Sequence, residues 1–128
     1  MRKIKTLKKN YEFKNVLCKG KFCIGKQITV YLNKNKINKN VIGIAVNTKV
    51  GKAVKRNHIK RLIRESYYQN KDKLKCGYNI VFIWNKKVDI KQANYHIIKK
   101  DMQYIFKRFN LLKDENDEKN NNIFNKTV

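Results

Sequence analysis

VIGIAVNTKVGKAVKRNHIKRLIRE, Val41 to Glu65, changes its hydrophobic period part-way along. The first six residues form an unbroken apolar run, which reads as a strand buried on both faces. Further on, apolar residues recur at helical spacing. At 100° per residue Ile59, Leu62, Ile63 and Ser66 fall in one arc, so a helix from about Val54 to Asn70 is predicted to bury that stripe. After a turn at Cys76-Gly77 comes a second apolar run, YNIVFIW (Tyr78 to Trp84). Strand, helix and strand in that order predict parallel pairing across a crossover.

Working outward, QITVYLN (Gln27 to Asn33) alternates with period two. Ile28, Val30 and Leu32 are expected to face a core, with Gln27, Thr29, Tyr31 and Asn33 on the opposite side. The turn-like NKNKINKN follows. Leu7 to Lys19 has helical spacing and Gly20 is a plausible stop. Ile90 to Phe109 is expected to close the domain as an amphipathic helix, burying Tyr95, Ile98, Met102, Ile105, Phe106 and Phe109. The predicted order is α-β-β-α-β-α, a small α+β sandwich with a central sheet and helices on one or both faces. At 128 residues the chain suits one domain, placed at residues 1–112. Residues 113–128, KDENDEKNNNIFNKTV, have few apolar residues and an Asn run, and are expected to form a disordered tail.

The charge balance is far from ordinary. Lys and Arg number 32 against 9 Asp and Glu, a net charge of +23. Such a charge opposes compaction unless a polyanionic partner neutralises it. Nucleic acid leads the candidates, ahead of an anionic membrane surface, because cations on phosphates release condensed counterions. The N-terminal MRKIKTLKKN lacks an apolar core like that of a signal peptide, and no apolar run approaches the roughly 20 residues of a bilayer span. A soluble, cytoplasmic chain without a membrane partner is expected. Cys18, Cys23 and Cys76 are too few and too odd for a disulfide framework. With His96 they make at best a loose metal set, so free thiols and no protein-bound metal are expected.

Six of the fourteen residues from Lys52 to Glu65 are Lys or Arg. Arg56, Lys60 and Arg64 stand four apart in one row, with Asn57 and Arg61 beside them and Lys52 and Lys55 at the helix start. A solvated helix face normally alternates signs, because like charges at this spacing cost roughly 0.2–0.5 kcal/mol per pair. Cations in a first turn also oppose the helix dipole. Both penalties make sense on a phosphate-binding surface. The Asn57 amide can donate and accept, which suits a ribose hydroxyl or a phosphate.

KAVKRNHIKRLIRE resembles the signature of the bacterial ribonuclease P protein family, whose Arg-Asn-Arg core sits in a longer basic helix. LKKNYEFKNVLCKG (Leu7 to Gly20) is similar to that family's first helix. GIAVNTKVGKAVKRN (Gly43 to Asn57) looks like its strand-to-helix lead. The resemblance covers roughly residues 5–112 in the right order. Two positions depart from the pattern. His58 stands at the third position of the core, and Leu17 stands where many members carry an aromatic residue. By the wheel His58 also points away from the Arg56–Lys60–Arg64 row.

The resemblance implies a fold like domain 2 of ribosomal protein S5. It also implies that this protein assists an RNA-based endoribonuclease in removing the 5′ leader of precursor tRNA. Lys52, Lys55, Arg56, Asn57, Lys60, Arg61 and Arg64 would then bind the catalytic RNA. A cleft at Phe13, Leu17 and Tyr31 would hold the leader, and Mg²⁺ would be bound mainly by the RNA. A protein oligomer is not implied. Tyr31 lies on the side of its strand that the core does not need, which suits a stacking platform, whereas Phe13 fits core packing equally well. The carboxylates of residues 1–112 are scattered, and neither His58 nor His96 has an evident acid partner, so no protein-borne hydrolytic site is expected.

A ribosomal or ribosome-associated RNA-binding protein would satisfy the same charge argument. A DNA-binding regulator is disfavoured, because no second helix follows a three- or four-residue turn.

Overall fold

The computed structural model describes residues 6–7 and 10–113; the tail expected at 113–128 lies, from residue 114 on, outside the described residues. Seven main elements follow in order: α1 (Asn10–Lys19), β1 (Lys21–Ile24), β2 (Ile28–Lys34), β3 (Val41–Ala45), α2 (Ala53–Asn70), β4 (Tyr78–Trp84) and α3 (Tyr95–Arg108). The strands form one sheet in the order β1-β2-β4-β3. β3 and β4 pair in parallel across α2, as the crossover requires, and the other pairs are antiparallel.

The period-two reading of β2 holds from Ile28 to Asn33, whereas Gln27, expected on the polar side, precedes the strand and is buried against the segment leading into α3. Ile28, Val30 and Leu32 are buried, opposite Trp84, Phe82 and Ile80 of β4. α2 and α3 pack over this face, inserting Ile59, Ile63, Tyr67, Ile98, Met102, Ile105 and Phe106 into one core. Ser66 is buried with that stripe, and Leu62 sits half-buried at its margin.

On the other face, α1 covers part of the sheet over a smaller cluster of Leu7, Val16, Val41 and Val81. Its approach is set by Gly43 on β3, where a Cβ would lie 2.6 Å from the Phe13 ring. Any side chain there would have to displace the Phe13 ring.

Two elements differ in extent from the periodicity. α1 begins at Asn10 because Leu7 is spent on the sheet edge, its N–H donating to the Ile42 carbonyl at 2.8 Å. α3 begins at Tyr95 because Asn94 caps it, accepting from the His96 and Ile97 N–H groups. The earlier residues Ile90–Gln92 form a separate single turn, capped in the same way by Asp89.

One strand was not legible at all. β1 is an edge strand of four residues, mostly exposed on both faces, so no burial period marks it. It is held by a buried carboxylate. Asp101 on α3 accepts from the Lys26, Gln27 and Ile28 N–H groups at 2.9, 2.7 and 3.2 Å, clamping the β1–β2 turn. Gly25 lets it approach, since a Cβ there would lie 2.6 Å from the carboxyl carbon. Asp101→Asn keeps the shape but turns an amide N–H toward backbone donors. Charge-assisted bonds are worth about 1.5–3 kcal/mol each, so the variant is expected to lose roughly 2–4 kcal/mol of stability. The urea midpoint measures this, and an unchanged midpoint would mean that the clamp does not hold the turn.

Candidate nucleic-acid interface

The basic row starts on α2 at the edge of the buried stripe and turns gradually outward. Arg56 and Lys60 are half-buried, whereas Asn57, Arg61 and Arg64 are exposed, as are Lys52 and Lys55. The physical cause is register. Arg56 and Lys60 flank the Ile63–Tyr67 edge of the core stripe, and Arg64 and Arg61 fall successively farther round the helix. Among the described residues none of these cations forms an ion pair. The buried Nε of Arg56 also has no hydrogen-bond partner. His58 is exposed too, on the other side of the helix from Arg56.

The first turn of α2 strengthens the field. Lys52 takes the cap position without a side-chain hydrogen bond, and no acidic residue follows in the first turn. The free N–H groups there and the positive dipole end add to the cations, in the manner of an anion site at a helix start.

A groove opens on the α1 face of the sheet, toward the end where β3 and β4 finish. Phe22 and Ile24 of β1, Thr29 and Tyr31 of β2, and Ile83 of β4 form its floor. Asn47, Asn85 and Lys86 stand at its end. Asn47 follows β3 and begins the short connection into α2, so groove and basic helix meet at one end of the sheet. Tyr31 is half-buried, and its ring lies 5.5 Å from that of Phe22, tilted by 31°. Phe22 and Ile24 are 59% and 64% exposed, apolar surface that the core does not use. Thr29 donates its hydroxyl to the Asn85 Oδ1 at 2.5 Å, fixing the polar rim.

The expected cleft residues are thus only partly brought together. Phe13 and Tyr31 pack against the same small cluster, with Phe13 lying over Gly43 as core. Leu17 is exposed, outside both that cluster and the groove around Tyr31. Phe22 and Ile24 were missed because β1 was missed. The available signal is two apolar residues at alternate positions, Phe22 and Ile24, just before the period-two run of β2.

Among the described residues no three His, Cys, Asp or Glu side chains stand close enough to hold a metal ion. Among the described residues Asp101 is the one buried carboxylate, and both its oxygens are engaged by backbone N–H groups. Cys18, Cys23 and Cys76 are free thiols. No described helix is long and apolar enough to cross a membrane.

A model of the Ribonuclease P family matches residues 1–110. The chain belongs to the ribonuclease P protein family. It is 43% identical over 105 residues to the ribonuclease P protein component of Clostridioides difficile, covering 81% of this chain and 90% of that one. The ribonuclease P protein of Staphylococcus aureus superposes with a TM-score of 0.75 at 30% identity, over 87% of this chain and all of that one. The protein from Thermotoga maritima gives 0.72 at 28% identity, over 84% and 97%. The ribonuclease P proteins therefore share this arrangement of helices and mixed sheet, in keeping with the S5-like fold that the sequence motifs imply.

Proposed function

We propose that this ribonuclease P protein binds the catalytic RNA of the enzyme through α2 and the 5′ leader of precursor tRNA in the sheet groove. The observation that carries the reading is the meeting of two surfaces at one end of the sheet. One is a row of cations without carboxylate partners among the described residues, which suits phosphates. The other is an aromatic groove, which suits unpaired bases. A polyanion lying on α2 thus reaches the groove mouth near Asn47 and Lys86.

The protein's part is binding and charge screening. Arg56, Lys60, Arg61 and Arg64 lower the repulsion between catalytic RNA and substrate, and the groove orients the leader. Mg²⁺ would be held mainly by the RNA, as the family resemblance implies. Assembly of this kind takes place in the cytoplasm, where precursor tRNA is made.

The test is reconstitution. The purified chain is mixed with the cognate catalytic RNA at low Mg²⁺, and precursor-tRNA cleavage is followed. Stimulation of cleavage is expected. Binding to ribosomal RNA with neither stimulation nor binding to the catalytic RNA would favour the ribosome-associated alternative instead.

A further inference from the structure

At the opposite end of the sheet, on the α3 face, lies a second hollow of about 360 Å³. Four cations line it, each from a different element: Lys19 ends α1, Lys21 begins β1, Lys34 ends β2 and Arg108 ends α3. Tyr78 and Phe109, both half-buried, supply aromatic surface. Among the described residues no carboxylate lines the hollow and none of the four cations forms an ion pair.

In a chain of net charge +23, a patch of lysines says little by itself. Convergence says more. Lys19 and Arg108 sit in last helical turns, where the dipole alone explains them. Lys21 and Lys34 lie on strands and have no such explanation. Sheet register fixes them, with Lys21 opposite Leu32 and Lys34 opposite Tyr78.

The hollow also continues into a neighbouring one that shares Lys34 and Tyr78 and adds Lys36. The loop that carries Lys36 is stitched down, with Asn35 donating to the Lys39 carbonyl and the Asn79 Oδ1, and Asn40 donating to the Lys75 carbonyl. Its cation is therefore held on a fixed frame.

We infer that this hollow is a second phosphodiester site, taking single-stranded RNA on the face of the sheet that the leader groove does not use. The inference rests on the reading of the chain as an RNA-binding subunit. The strand bound there comes either from the catalytic RNA or from a leader long enough to pass the β1 edge.

The experiment uses the full chain carrying Lys21→Gln and Arg108→Gln, against a charge-matched control with Lys73→Gln and Lys91→Gln. Two affinities are measured across a salt series. One is for the cognate catalytic RNA; the other is that of the reconstituted holoenzyme for precursors with short and long leaders. Each single-strand phosphate contact contributes about 0.7 to the slope of log affinity against log salt, so the site variant is expected to lose about 1.4. A loss in the first measurement assigns the catalytic RNA, and a loss confined to long leaders assigns the leader. Unchanged slopes in both, or an equal loss in the control, would overturn the inference alone. Wild-type chain binding neither RNA would overturn the functional reading and the inference together. Should the double variant unfold by its urea midpoint, Lys34→Gln serves instead, with about 0.7 expected and no change overturning the site.

Discussion

Precursor tRNA bearing its leader is expected to bind tens of times more weakly to holoenzyme carrying Tyr31→Ala and Phe22→Ala, while mature tRNA binds as before. Base–aromatic stacking is worth about 1–3 kcal/mol per base, a factor of roughly 5 to 150. The two rings touch, with centroids 5.5 Å apart, so their losses are not independent. Phe22→Ala alone is the cleaner probe, because Phe22 is 59% exposed and little of the fold depends on it. Tyr31 also seals the small cluster under α1, so its replacement carries some cost in stability that a melting curve separates from binding. Direct measurement of both affinities decides the matter. Equal losses for precursor and mature tRNA would remove the leader from the groove. Leu17→Ala, outside that groove, is expected to change precursor binding far less.

The difference between Leu17 and Phe22 shows what the sequence could and could not convey. Period makes an element legible, and period comes from one-sided burial. β2 alternates because Ile28, Val30 and Leu32 face the core while Thr29 and Tyr31 do not. α2 announces itself because Ile59, Ile63 and Tyr67 share a stripe. β1 has no buried stripe, and its exposed Phe22 acquires meaning only through its pairing with Tyr31 across the hairpin. α3 starts at Tyr95 rather than at the expected Ile90 for a different reason. Asp89 and Asn94 are both competent caps, and the buried Gln27 favours the second by accepting from the Asn94 N–H at 3.1 Å. That contact joins residues 67 apart in the chain, and no local pattern carries it. The α3-face hollow is invisible for the same reason, since its four cations meet only when four elements are assembled.

Neutralising the α2 row is expected to have the largest effect on assembly. With Arg56, Lys60 and Arg64 all changed to Gln, affinity for the catalytic RNA should fall on the order of a hundredfold at physiological salt, and the salt slope by about 2 to 3. Three phosphate contacts, at about 0.7 to 0.9 each, account for both figures. The fold should survive, and for a physical reason. The substitutions relieve repulsion between like charges four residues apart, and they leave Ile59, Ile63 and Tyr67 in place under the helix. A raised or unchanged urea midpoint together with weakened assembly is therefore the signature of a surface kept basic for its ligand. Arg56 complicates the triple, since its stem is half-buried and its Nε lies out of solvent. Arg61→Ala isolates the electrostatic part, because Arg61 is exposed and lies outside the buried stripe of α2. It is expected to lower the slope by about 0.7 to 0.9 at unchanged stability. A slope that does not move would place Arg61 off the phosphate backbone. It would leave the half-buried Arg56 and Lys60 as the anchors, at the margin where the helix meets the core.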